Sequence, residues 1–426
     1  MHMTTDLVTA VFVVALTVSV LLSVWLARRQ IAHVSAHRDR VPEGFREVIS
    51  PEAHAKAADY TCAKQRFGLI QLAFGTLMLL VWTLGGGLDL LNGGVLRFFG
   101  GDESAAAGLL YPVSLVVLFT LIGSVIELPF EWYHNFRIEE KFGFNRMTHR
   151  LWVSDIIKNT LLSLVIGIPL IAAVLWLMGA AGPLWWLWAW ALWMGFNLVL
   201  MVVYPIFIAP LFNEFKPLED EALRARVNAL MQRCGFSAKG LFVMDGSKRS
   251  AQSNAYFTGI GRSKRVVFYD TLLARLTTGE LEAVLAHELG HFHHKHIMKL
   301  IAGLFVMSLI GLAMLGWLAQ QPAFYLGLGV TPNASASNDA LALLLFLLVL
   351  PSVGVVFGPL SSRRSRQYEF QADAYAKQQS NGADLGTALV KLTEDNASTL
   401  TPDPWYVRFN YSHPPVIERL AALKSG

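Results

Sequence analysis

The stretch His287-Glu288-Leu289-Gly290-His291 has the residue types and spacing for metal chemistry. On a helix, residues four apart lie on one face. Two imidazoles placed so can bind one Zn²⁺, and Glu288 between them is placed to take a proton from a metal-bound water. The pattern also arises by chance, and this stretch is histidine-rich, with His293, His294 and His296 following. Those three read as interfacial polar residues at the mouth of a membrane span.

A catalytic zinc usually has three protein ligands and one open position. The third can be sought by elimination. The extended pattern ending in Gly and a further His would need them at positions 294 and 297, which are His294 and Ile297. A glutamate soon after the helix also fails, because no Asp or Glu occurs from Phe292 to Asn338. Asp339 follows, but at the far end of a membrane span. The first acid back on the near side is Glu369, in Arg366-Gln367-Tyr368-Glu369-Phe370-Gln371-Ala372-Asp373. Two antiparallel spans return the chain to where it left, beside His291. Asp373 lies one helical turn beyond Glu369 and suits the carboxylate that accepts the second N–H of a metal-bound His. The plainer alternative is a solvated helix balanced by Arg363, Arg364 and Arg366.

Asn410-Tyr411-Ser412-His413-Pro414-Pro415 is followed by Glu418 and Arg419. A His held by a Pro-Pro turn suits an oxyanion donor, and Arg419 suits a carboxylate partner. Read alone, the stretch favours a helix N-terminal cap.

These groups need elements to hold them. Of 426 residues, 54% are hydrophobic and only 15% charged, and the mean hydropathy is +0.44. Soluble domains carry about 25% charge, so a soluble enzyme, a disordered chain and a fibrous repeat are excluded. The net charge of +4 does not imply nucleic acid, and Cys62 and Cys234 cannot make a disulfide framework. They read as ordinary buried or interfacial thiols. Seven stretches have the roughly 20 apolar residues that a spanning helix needs: Leu7–Ala27, Leu69–Leu90, Leu109–Phe130, Leu151–Met178, Pro183–Ile208, Ile297–Leu318 and Leu341–Leu360. The first lacks a basic leader and reads as a retained anchor. Lys and Arg crowd the links after the first and third spans. The link between the second and third holds only Arg97, with Asp89, Asp102 and Glu103. The positive-inside rule then puts the N-terminus outside and the C-terminus in the cytoplasm.

The expected divisions are 1–210 with five membrane helices, 211–296 as a catalytic block, 297–360 as a membrane hairpin and 361–426 as a catalytic tail. Within the block, Leu241–Met244, Ala255–Thr258 and Val266–Tyr269 read as strands joined by hairpin-like connections. Thr277 and Glu280 have capping-box spacing at the start of the zinc helix.

Taken together, the seven spans, Ser253-Asn254-Ala255-Tyr256-Phe257, the HELGH helix, Glu369-Phe370-Gln371-Ala372-Asp373 and Ser412-His413-Pro414-Pro415 with Arg419 resemble the type I CAAX prenyl proteases, integral-membrane zinc metallopeptidases. The resemblance covers nearly the whole chain. It implies a mainly α-helical polytopic membrane protein, with seven transmembrane helices around a chamber and a cytoplasmic α+β zinc metalloprotease domain. It implies that His287, His291 and Glu369 bind zinc, that Glu288 is base and acid, and that His413 stabilises the tetrahedral intermediate. It implies too that Arg419 supports the site through a buried carboxylate, and that Asn254 and Ala255 lie on a strand edge that pairs with extended substrate. The implied partners are the lipid bilayer and a peptide or protein that is prenylated or membrane-associated. The short loops suit a bacterial inner-membrane protein. The alternatives are a four-span heat-shock membrane protease, which lacks the five preceding spans, and a transporter or scaffold with structural zinc. The spans hold few ionisable groups beyond Glu127 and Asp155, which disfavours conduction.

Overall fold

The computed structural model describes residues 3–99, 108–236, 240–258 and 265–425. Asp102 and Glu103 lie outside them. The chain begins with α1 (Thr5–Ala36), α2 (Pro51–Trp82), α3 (Gly87–Phe98), α4 (Leu110–Tyr133), α5 (His149–Ala180) and α6 (Trp185–Val203). The polar block holds β1 (Phe215–Pro217), α7 (Glu221–Arg233), β2 (Gly240–Met244), β3 (Ala255–Thr258), β4 (Arg265–Tyr269), α8 (Asp270–Leu273) and α9 (Thr278–His293). There follow α10 (His296–Leu318), α11 (Pro322–Gly327), α12 (Asp339–Gly354), α13 (Gly358–Gln379), α14 (Gly382–Asp395), α15 (Pro404–Asn410) and α16 (Val416–Ser425).

Seven of these runs are long and apolar enough to cross a bilayer: α1, α2, α4, α5, α6, α10 and the joined α12–α13. Val14, Leu21, Val125, Val165, Trp188 and Met307 stand exposed on these helices. That arrangement suits helices surrounded by lipid, where the backbone satisfies itself and apolar side chains face outward. α1 and α2 have 32 residues each, about 48 Å at the α-helical rise against about 30 Å of hydrocarbon. Their polar ends therefore project from the membrane, where Val34, Ala58 and Cys62 pack together.

One expected span differs. Leu69–Leu90 is not a single helix: α2 ends at Trp82, and α3 starts after Gly86, whose φ of +75° favours glycine. The seventh span also runs further than Leu360. A tight turn at Val355–Phe357 joins α12 to α13, giving a 41-residue rod that ends at Gln379. At about 60 Å it crosses the membrane and continues into the catalytic block.

The three expected strands form, joined by the short β1, in the order β1-β2-β4-β3. Their connections are not all hairpins. β3 and β4 are antiparallel neighbours, but β2 runs parallel to β4 and is not paired with β3. After β2 the chain leaves the sheet to reach the membrane helices. Arg249 there makes a two-pronged ion pair with Asp155 of α5, at 2.9 and 3.1 Å, and Ser250 bridges Asn145. The chain returns as β3, at the sheet's far edge. The core of the block is formed by Leu223, Leu230, Val266, Phe268, Leu285, Leu289, Ala376 and Leu385, from α7, β4, α9, α13 and α14.

Candidate metal centre and active-site cavity

Helix α9 starts as its sequence requires. Thr277 caps the N–H of Glu280, and the Glu280 carboxylate accepts the Thr277 N–H at 2.8 Å, completing the capping box. Lys391 of α14 donates to the same carboxylate at 2.8 Å. The cap sets the helical phase so that His287 and His291 share the face turned towards α13. Gly290 allows the two helices to close. A Cβ there would lie 2.9 Å from Ala372 Cα and 3.1 Å from its carbonyl oxygen.

At this crossing α13 brings Glu369 between the imidazoles. His287 Nε2 and His291 Nε2 lie 3.2 Å apart, and each is 3.4 Å from a Glu369 carboxylate oxygen. A tetrahedral ion with Zn–N and Zn–O bonds near 2.0–2.1 Å needs donors about 3.3–3.4 Å apart. Glu369 Oε2 is buried and has no hydrogen-bond partner. Two imidazole nitrogens facing each other, beside a buried carboxylate oxygen that lacks a hydrogen bond, fit a bound divalent cation. The same three residues form the metal-compatible group among the described residues.

Asp373 and Arg419 lie directly behind His287. Asp373 Oδ1 is 2.8 Å from His287 Nδ1. Arg419 clamps Asp373 with two hydrogen bonds, at 2.6 and 2.8 Å, and sets Nη1 3.5 Å from Glu369 Oε2. All three residues are buried. Burial alone would push the His287 imidazolium down, but contact with Asp373 and Glu369 outweighs it and holds the ring up at about 9. Metal binding there would displace a proton.

Glu288 is half-buried on the next face of α9. It lines a cavity of about 970 Å³ shared with Asn254, Ala255, Glu369, His413 and Arg419. His413 reaches in from the turn before α16. Its side chain is 66% exposed, with Nε2 3.4 Å from Glu369 Oε1, and Ser412 Oγ contacts its Nδ1 at 2.9 Å. Pro414 is buried just before α16, while His413 stands exposed in the cavity wall. Asn254 is exposed and Ala255 half-buried, at the start of edge strand β3. A second cavity, of about 980 Å³, lies among α4, α5 and the end of α6, lined by Thr120, Ser124, Glu127, Asn159 and Ser163. Tyr269 borders both cavities.

One group differs from its sequence reading. His293 is exposed and His294 half-buried, but His296 is buried, with Nδ1 3.1 Å from His291 Nδ1 and Nε2 2.9 Å from Gln371 Oε1. Lys295 causes this. Its φ of +55° breaks α9 from α10 and turns His296 back to His291. A left-handed lysine carries no sequence signal. Cys62 is buried, Cys234 half-buried, and both are free.

Residues 30–214 match the family model described as CAAX prenyl protease N-terminal, five membrane helices. Residues 217–426 match peptidase family M48. The chain is 34% identical to the CAAX prenyl protease 1 homolog of Oryza sativa, over 91% of this chain and 90% of that one. It is 32% identical to CAAX prenyl protease 1 of Saccharomyces cerevisiae, over 94% and 91%. The crystal structure of S. mikatae Ste24p superposes with a TM-score of 0.90 and 29% identity, covering 98% of this chain and 99% of that one. The five-helix match favours this reading over a four-span protease, a transporter or a scaffold. The chain is an integral, multi-pass membrane metalloprotease and belongs to the M48 peptidases of the CAAX prenyl protease type.

Proposed function

We propose that the chain is a zinc metalloendopeptidase that cleaves lipid-modified or membrane-associated peptides. One observation carries this reading: the His287/His291/Glu369 donor triangle, beside Glu288, in the wall of a 970 Å³ cavity. His287, His291 and Glu369 would hold the zinc, which would supply a Lewis acid for the scissile carbonyl and for a water. Glu288 takes the proton of the attacking water and passes it to the leaving amine. His413 Nε2–H donates to the developing oxyanion, which a Pro-Pro turn keeps in reach. Asp373 accepts the Nδ1–H of His287 and fixes its tautomer. Arg419 keeps Asp373 charged and in place.

Substrate binding follows from the strand edge. Ala255 pairs with Phe268 in antiparallel register, and Tyr269 N–H donates to Asn254 O. In such a ladder the N–H of Ala255 points away from β4, and it is held by the side chain of its own neighbour, Asn254 Oδ1, at 2.8 Å. A substrate carbonyl would take that place, adding a strand to β3. Similarity to the CAAX prenyl proteases favours a prenylated peptide. In this reading 1–210 and 297–360 are the membrane frame, and 211–296 with 361–426 form the catalytic half. The Lys/Arg-rich links put that half in the cytoplasm, and the short loops suit a bacterial inner membrane.

The test is metal content together with cleavage. Purified protein in lipid nanodiscs should hold about one Zn²⁺ and cut a farnesylated peptide carrying a C-terminal CAAX sequence faster than its unmodified form. Cleavage that survives complete zinc removal would sink the metalloprotease reading. Equal rates on both peptides would sink the prenyl preference alone.

A further inference from the structure

The two imidazoles of the donor set are supported differently. His287 is backed by the Asp373–Arg419 ion pair. Among the described residues, no carboxylate stands behind His291. Its Nδ1 meets His296 Nδ1 at 3.1 Å, and His296 Nε2 meets Gln371 Oε1 at 2.9 Å. His296 is 1% exposed and its ring stacks on Tyr368, with centroids 4.0 Å apart and planes 12° apart. Gln371 stands on α13 between Glu369 and Asp373.

One requirement orders all three groups. If His291 Nε2 is to bind a metal it must present a lone pair, so its proton is on Nδ1. That N–H faces His296 Nδ1, which must then be an acceptor. His296 therefore carries its proton on Nε2, which donates to the oxygen of Gln371. Each contact has one donor and one acceptor, and no group needs to be charged.

We propose that His296 is the positioning residue for His291, and that Gln371 fixes the tautomer in which His296 can act. The inference rests on the metal site proposed above. Removing such an outer partner weakens metal binding by about 10–100-fold.

The full-length protein in nanodiscs tests this, with zinc affinity measured by competition against a chromophoric chelator and the visible spectrum recorded after cobalt substitution. His296→Ala should weaken zinc about 10–100-fold and alter the cobalt spectrum. His296→Asn, whose Oδ1 stands where Nδ1 stood, should restore most of the affinity. Gln371→Leu should cost about tenfold, with Glu369 and Asp373 untouched. A folded His296→Ala protein with zinc affinity within about twofold of wild type and an unchanged cobalt spectrum overturns the proposal. So does a folded His296→Asn protein no better than Ala. If the Ala variant does not fold, His296→Asn decides: near-wild-type affinity supports the relay, and a tenfold loss overturns it. Wild-type protein that binds no zinc would overturn both this inference and the metal site beneath it.

Discussion

Gly290 sits where α9 crosses α13, and adding one methyl group there tests whether that crossing sets the metal geometry. In Gly290→Ala the new Cβ would lie 2.9 Å from Ala372 Cα, 3.1 Å from its carbonyl oxygen and 3.2 Å from Tyr375 Cβ. Carbon atoms pack at about 3.5–4.0 Å, so the helices must part by roughly 0.6–1.1 Å. Metal sites tolerate departures of only about 0.2 Å. His287 and His291 move with α9 and Glu369 with α13, so the displacement opens the donor triangle. Overpacking of this kind costs about 1–3 kcal/mol. If all of it falls on metal binding, zinc affinity drops roughly 5- to 140-fold at 1.4 kcal/mol per factor of ten. Chelator competition on the nanodisc-embedded protein measures that loss, and a thermal melt with and without zinc measures what falls on stability instead. The two nearest obstructing atoms are backbone, so Ala372→Gly should not rescue the variant. A Gly290→Ala protein with unchanged zinc affinity and unchanged melting temperature would refute the account.

Three further outcomes follow from the same contacts. Asp373→Ala removes the acceptor behind His287 and leaves the buried Arg419 with only its longer contact to Glu369, at 3.5 Å. Zinc affinity should fall about 10–100-fold, seen in chelator competition. Arg249→Met leaves Asp155 without its partner and should destabilise the docked block by about 2–3 kcal/mol. That is less than for a fully buried pair, since a fifth of the Arg249 side chain reaches solvent. A thermal melt should show the loss, and adding Asp155→Leu should recover most of it. Thr277→Ala should cost about 0.5–2 kcal/mol by uncapping α9, measured as a lower melting temperature with the zinc stoichiometry unchanged.

The membrane frame is legible in the sequence because hydropathy sums over many residues, and a bilayer imposes one length on every span. The break at Gly86 escaped because α3 is nearly as apolar as the end of α2, so only a short turn marks the boundary. That Glu369 meets His287 and His291 was legible because an acid-free membrane hairpin leaves few other acids that could return beside them. Its support on an extension of the seventh span was not, since nothing in composition says where a helix stops leaving the membrane. Strand pairing is the least legible feature of the sequence. Runs of four or five apolar residues specify strands but not neighbours, and the parallel β2–β4 pair depends on the excursion of Arg249 to Asp155. β1, with three residues, is too short to show a period. His296 was misjudged because its place depends on the left-handed backbone of Lys295, a conformation that side-chain type does not announce.

Glu288→Gln tests the central claim most directly, because it removes the proposed proton carrier while leaving His287, His291 and Glu369 in place. Zinc content and peptide cleavage should be measured on the same preparation. The account predicts about one bound zinc, as in the wild type, with cleavage reduced by at least about 100-fold. Near-wild-type cleavage by the zinc-loaded variant would contradict it.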